Sequence, residues 1–210
     1  MSTSFKQNLL LAFFVSILVI ENIAGAKTTT LFGITFSVSL ILLPFSFFIL
    51  DAISEVYGKD KSKEFLYVSL ISLIGIFLFI FTAVNLPPSI KFTDQNGAYA
   101  TVFGNSIRII LASISAYLIS QLIDITTFFW IKKQTKNRWL WMRSNFSTCI
   151  SLALDTFLFT FLAFYQLKPS YDIWFVLQLA IPYYCLKLSL SWIGTPVVYL
   201  IVHWLKNTKS

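Results

Sequence analysis

Apolar residues in this chain come in long stretches separated by short polar ones, not in the alternation of a half-buried strand or the narrow stripe of a soluble helix. The stretches cover 9–24, 31–50, 65–86, 107–131, 146–164 and 174–203. A run of about 20 apolar residues is what an α-helix needs to cross the hydrocarbon of a bilayer, where every backbone N–H and C=O must be satisfied within the segment. The pattern therefore predicts an all-α membrane protein with six transmembrane helices in a single integral-membrane domain, 1–210. Pro87-Pro88 ends the third stretch, because proline cannot continue a helix, and the segment 88–106 after it reads as a plain connecting loop. Pro182 and Gly194-Thr195-Pro196 predict a sixth helix that is tilted or broken. Ala24-Gly25-Ala26 imitates the cleavage site of a signal peptide. Glu21 and Asn22 interrupt the apolar region such a peptide needs, so the first stretch reads as a retained span. Ala112, Ala116 and Ser120, four residues apart, give the fourth helix a face of small side chains on which a neighbour can pack closely.

Composition narrows the class. Hydrophobic residues are 57% and charged residues 12% of the 210, more apolar surface than a soluble domain of that size buries. A net charge of +7 would suggest nucleic acid if the basic residues formed one patch, but they sit in clusters between the stretches. Eleven Lys and Arg, from Lys6 through Lys132 to Lys209, fall on one face. Only Lys27, Lys91 and Lys168 fall on the other. This asymmetry puts both termini in the cytoplasm of a multi-pass membrane protein whose surroundings are the lipid bilayer, with no nucleic acid as partner. Cys149 and Cys185 lie in apolar stretches at no metal or pairing spacing, so both read as small buried hydrophobes, and neither metal nor cofactor is expected.

Charges inside the apolar stretches carry the functional signal. A carboxylate near the bilayer centre costs about 2.5 to 3.5 kcal/mol on insertion scales, so Asp124 and Asp155 are expected to face the bundle interior or a water-filled cavity. Six spans with cytoplasmic ends put Glu21, Asn22 and Arg108 near the outer face, Asp51, Glu55 and Arg143 near the cytoplasmic face, and Asp155 and Lys187 at mid-depth. Opposite charges are then expected to meet at each level. Asp51 and Glu55 lie one helical turn apart, beside the basic cluster Lys59, Lys61 and Lys63. If the second helix runs through them they share a face; otherwise they sit in a solvated loop, which is the plainer expectation. Catalytic alternatives lack residues. There is no HExxH, GxSxG or P-loop, His203 is the only histidine, and neither Asp124 nor Asp155 is followed by the glycine of an intramembrane aspartyl protease.

The residues also match a known pattern. Asp51-xxx-Glu55-Val56-Tyr57-Gly58, Arg108 with Ala116-Tyr117 and Gln121-xx-Asp124, Trp141 with Arg143-Ser144-Asn145 and Ser147-Thr148, Asp155-Thr156-xx-Phe159, and Lys187 before Thr195-Pro196 together resemble the queuosine-precursor transporter family. The resemblance implies a non-enzymatic six-span importer of the bacterial inner membrane. Its architecture would be similar to the substrate-binding components of energy-coupling-factor transporters, and its cargo a 7-deazapurine for tRNA modification: the 7-cyano or 7-aminomethyl base, or queuine. It points to Asp155 as the leading base-binding carboxylate, with Lys187, Asn22, Gln121, Asp124 and Asn145 in support, and to Asp51, Glu55, Arg108 and Arg143 as structural charge pairs. Two positions depart from the family, Ser54 where asparagine is common and Leu152 where glutamine is frequent, which leaves the choice of base open. A homo-oligomer or a separate energising partner leaves no signature here. A binding subunit for another vitamin-like molecule is the alternative reading, and a membrane scaffold the alternative of a different class.

Overall fold

The structure, a computed structural model, describes residues 2–25, 27–31, 34–104 and 107–207. Ala26, Phe32, Gly33, Ser106 and Lys209, each part of a reading above, lie outside the described residues. Seven helices follow one another: α1 (Thr3–Ala24), α2 (Leu43–Tyr57), α3 (Lys59–Asn85), α4 (Thr93–Phe103), α5 (Ile107–Gln134), α6 (Leu140–Phe164) and α7 (Ile173–Lys206). Between α1 and α2 lie two short strands, β1 (Thr28–Leu31) and β2 (Ile34–Ser37). Six segments among the described residues are long and apolar enough to cross a membrane, with α4 and α5 together forming the fourth.

The second stretch departs from its expected form. Instead of one helix from 31 to 50, β1 and β2 pair antiparallel with Thr29 opposite Phe36 and Thr30 opposite Thr35. Three consecutive threonines favour extended backbone through their branched side chains. A 3-10 turn (Val38–Ile41) follows, and Pro44 sits in the first turn of α2, where its missing N–H costs nothing. The helix then continues through Asp51 and Glu55, so the solvated-loop expectation is overturned: Asp51 is buried and Glu55 nearly so. The turn to α3 is one residue, Gly58, with φ +89°, a value that favours glycine. Lys59, Lys61 and Lys63 thus lie on the first turns of α3 rather than in a loop. The connection 88–106 is also not a plain loop, since much of it is the exposed helix α4.

The last helix is unbroken. Pro182 and Pro196 lie inside α7, which runs 34 residues. Each proline removes one backbone bond without ending the helix. At about 51 Å, α7 exceeds the hydrocarbon thickness and must lean or project beyond it.

Helix α2 fills the middle of the bundle, packed on α1, α3 and α7, with Phe47 through Ser54 all buried. It approaches α7 closely at Gly194, where a Cβ would lie 2.1 Å from the Phe48 ring. Helices α5 and α6 form a hairpin whose contact is the most extensive in the molecule, and Ala112, Ala116 and Ser120 are all buried. Ile71, Phe79, Ile193 and Leu200 are largely exposed; on a membrane-crossing bundle this is the lipid-facing surface. The cysteines correct their reading: Cys185 is exposed on that surface, and Cys149 is half-buried against the Tyr184 hydroxyl.

Candidate functional site

Helix α6 is the polar spine of the bundle. Arg143, Ser144, Ser147, Thr148, Ser151, Asp155, Thr156 and Thr160 recur three or four residues apart, which puts them on one helical face. All are buried except Asp155, which is half-buried. Hydroxyls on such a face hydrogen-bond side chains of neighbouring helices without introducing charge. Around this spine the charged groups divide into two layers.

The outer layer joins α1, α6 and α7. Lys187 Nζ donates to Asp155 Oδ2 at 3.0 Å and lies 5.3 Å from the centre of the Tyr183 ring. Glu21, from the end of α1, has Asp155 and Lys187 as its charged neighbours and Ser46 of α2 beside it. Its Oε1 is buried and accepts no hydrogen bond. In the α5–α6 hairpin Asp124 is bonded to Ser151, and Gln121 and Asp155 each lie one helical turn further in the same direction, which puts them at one level. Gln121 Oε1 and Thr156 Oγ1 are likewise buried without a partner. Two carboxyl groups therefore have one ammonium near them, bonded to Asp155, and the interior holds hydrogen-bonding atoms that the protein does not satisfy, an arrangement native interiors avoid.

The inner layer is built around Glu55. Its Oε2 accepts from Arg143 Nη2 at 2.5 Å and from Lys132 Nζ at 3.0 Å, tying α2 to α6 and α5. Arg143 also donates to the Arg138 carbonyl at 3.2 Å and stacks over Phe128. One step inward from the protein surface, Asp51 accepts from the Ser144 hydroxyl and Asp124 from the Ser151 hydroxyl at 2.8 Å. The two aspartates lie within electrostatic reach of each other.

Other expected residues sit elsewhere. Asn22 donates to its own helix at the Leu18 carbonyl and accepts from Ser113, on the wall of a mainly apolar cleft between α1, α3, α4 and α5. That cleft is remote in character from the ion pair and offers a base a single amide. Asn145 is held between the Trp141 carbonyl and the Thr195 hydroxyl. Arg108 was expected to meet an acid at the outer face; it donates instead to the carbonyls of Leu162 at 2.7 Å and Tyr165 at 2.5 Å, closing the C-terminal end of α6. Of Asp51 and Glu55, the two acids expected at the level of Arg143, Glu55 forms the pair and Asp51 bonds the Ser144 hydroxyl. Ser54 bonds Ser62 of α3 at 2.7 Å and faces away from the outer layer, whereas Leu152 is fully buried on the spine one turn before Asp155. Among the described residues no group of three or more His, Cys, Asp or Glu is placed to hold a metal.

A family model described as "Putative vitamin uptake transporter" matches residues 37–201. The chain belongs to this vitamin uptake transporter family. Over 190 residues it is 30% identical to a "Probable queuosine precursor transporter" of Bacillus subtilis (strain 168), covering 90% of this chain and 81% of that protein. It is 25% identical over 148 residues to the "Queuosine precursor transporter" of Escherichia coli (strain K12), covering 70% of this chain and 64% of that protein. No solved structure matches. The relatives are named as transporters, so membership of the vitamin uptake family accounts for intramembrane charge by transport rather than catalysis.

Sequence reasoning put Glu21 near the outer face but with neither Asp155 nor Lys187, and left both Glu21 and Thr156 out of the candidate binding residues. A signal existed for Glu21: Lys6, Leu10, Phe14 and Leu18 are the buried face of α1, and Glu21 continues that spacing.

Proposed function

We propose that this family member imports a queuosine precursor, a 7-deazaguanine base, and binds it in the outer layer. The observation that carries the reading is the Asp155–Lys187 pair lying among unsatisfied buried groups on Glu21, Gln121 and Thr156. A guanine-like edge offers a ring N–H and an amino group, which one carboxylate accepts together, and a carbonyl, which an ammonium meets. Asp155 takes the two N–H groups, Lys187 the carbonyl, and Gln121 and Thr156 the remaining polar edge. The names of the Bacillus subtilis and Escherichia coli relatives support the same class of cargo. Asn22, Asp124 and Asn145 already have protein partners and take no part.

The second carboxyl selects among the bases. Lys187 is bonded to Asp155, which leaves Glu21 without a cation of its own. A substrate bearing a positive charge supplies one and favours the ionised form of Glu21, so the 7-aminomethyl base, an ammonium at neutral pH, binds more tightly than the neutral 7-cyano base. In cells unable to make queuosine precursors, expression restores queuosine in tRNA when either base is supplied, at lower concentration for the aminomethyl form. No restoration by any 7-deazaguanine, with the protein present in the membrane, would pass the reading to another vitamin-like molecule.

The protein lies in the inner membrane with both termini cytoplasmic, the orientation the asymmetry of its basic residues favours. An impermeant thiol reagent added from outside labels a cysteine introduced at Asn96 in α4 but not one at Lys61. The reverse labelling would invert the topology.

A further inference from the structure

The inner layer contains more acid than its bases neutralise. Glu55, Asp51 and Asp124 contribute three carboxylates; Arg143 and Lys132 contribute two cations, and both of these bind Glu55. Asp51 and Asp124 are 1% exposed, and their direct partners are the neutral hydroxyls of Ser144 and Ser151. Each hydroxyl has one proton, and those of Ser144 and Ser151 already go to Asp51 Oδ2 and Asp124 Oδ1. Asp51 Oδ1 is left buried with no donor, and so is Gln121 Oε1, three residues from Asp124 on the same face of α5. One proton on the aspartate pair cancels the uncompensated charge and turns one carboxylate oxygen into an O–H donor. A buried charge without a partner is otherwise held at a cost of several kcal/mol.

The remaining groups of the packed elements do not supply it. On α6, Arg143 lies within electrostatic reach of Asp51 but is bonded to Glu55, and Ser147 lies beside Asp124 as a neutral hydroxyl. On α2 Tyr57 has a buried hydroxyl without a partner, and on α3 Ser62 is bonded to Ser54. From α1, Lys6 is engaged by the carbonyls of Trp204 and Asn207, and from α7, Lys187 is engaged by Asp155.

We propose that Asp51 and Asp124 are the proton site of the transporter, binding one proton between them and carrying it inward with each substrate. The proton comes from the outer solution, adds to one carboxylate oxygen of the pair, and leaves to the cytoplasm; no other bond changes. Gln121 precedes Asp124 by one turn of α5 and Asp155 follows Ser151 by one turn of α6, so the two sites occupy adjacent turns of one hairpin. Emptying the proton site restores the uncompensated charge and disfavours the occupied bundle, which couples the two movements.

This inference rests on the transport reading, and the experiment separates them. Purified protein is reconstituted into liposomes, and labelled 7-aminomethyl-7-deazaguanine is followed in two modes: counterflow exchange, which needs no net proton movement, and accumulation driven by an imposed inside-alkaline gradient. Wild-type protein accumulates the base with the gradient. Asp51→Asn and Asp124→Asn each lose at least tenfold of the driven accumulation, while counterflow through Asp51→Asn falls less than threefold. Driven accumulation that survives in both variants, or that follows a sodium gradient in place of a proton gradient, overturns the proposal. Absence of counterflow in the wild type speaks against the transport reading alone, and a substrate-free measurement then decides the proton site. Infrared difference spectra of the solubilised wild type across pH 5 to 9 contain a protonated-carboxyl band that is missing from either variant; the same band in both variants, or none in the wild type, rejects it.

Discussion

The two ion clusters of this bundle use similar residues differently. In the inner layer Glu55 is held by two cations from two helices, and the guanidinium of Arg143 has a carbonyl and an aromatic ring as further partners. In the outer layer Asp155 has one ammonium, its side chain is 20% exposed, and atoms of Glu21, Gln121 and Thr156 at its level lack partners. A buried carboxylate met by two cations of its own protein holds helices together. One left short of donors has capacity for a ligand: the orphan atom of the Glu55 cluster is a donor, Arg143 Nε, whereas those of the outer layer are oxygens able to accept from a base's N–H groups.

The comparison breaks most visibly at Arg143. Arg143→Met removes one of two counterions from a buried carboxylate, which costs about 3 to 5 kcal/mol, so thermal unfolding in detergent shifts sharply downward, or folded protein is lost. A variant with wild-type melting would demote the Glu55 cluster from structural to incidental. Glu21→Gln has the opposite profile: stability holds or rises, since a buried carboxylate lacking a donor is removed, while binding of the 7-aminomethyl base weakens by about 1.5 to 3 kcal/mol, the worth of a hydrogen bond to a charged group. Titration calorimetry with both bases sharpens the point, because the cyano base should lose less. Equal losses for the two bases would remove Glu21 from the discrimination.

Much of the fold could be read from the chain, because lipid leaves a helix few alternatives and twenty apolar residues in a row announce one. The start of α2 could not. Thr28 to Thr30 and the residues around Phe36 are apolar or β-branched enough to suit either structure, and pairing of β1 with β2 decides between them. The unbroken α7 likewise reflects packing that tolerates Pro182 and Pro196 where local propensity alone predicts a break. Within the site, the meeting of Asp155 with Lys187 followed from depth alone. The roles of Asn145 and Arg108 did not, since a polar side chain in a span looks the same whether it bonds a backbone carbonyl or waits for a ligand. Tertiary contacts alone distinguish these cases, and they separate Glu21, with its vacant oxygen, from Asn145, with both amide atoms occupied.

The smallest expected effect follows from that contrast. Thr195→Val deletes the hydroxyl that Asn145 accepts from, and costs about 0.5 to 1.5 kcal/mol of stability, the net worth of one hydrogen bond, with base affinity unchanged. A loss of affinity at unchanged stability would bring this corner of α6 and α7 into the binding site.

The central claim is that the Asp155–Lys187 pair belongs to the ligand and not only to the helices. Replacing both residues together, Asp155→Asn with Lys187→Met, removes the two charges at once and leaves neither buried alone, so the protein should purify monodisperse with near wild-type melting. Equilibrium binding of labelled 7-aminomethyl-7-deazaguanine to that preparation is the direct measurement. The account predicts folded protein whose affinity has fallen at least tenfold; a folded double variant that binds the base as tightly as the wild type would contradict it.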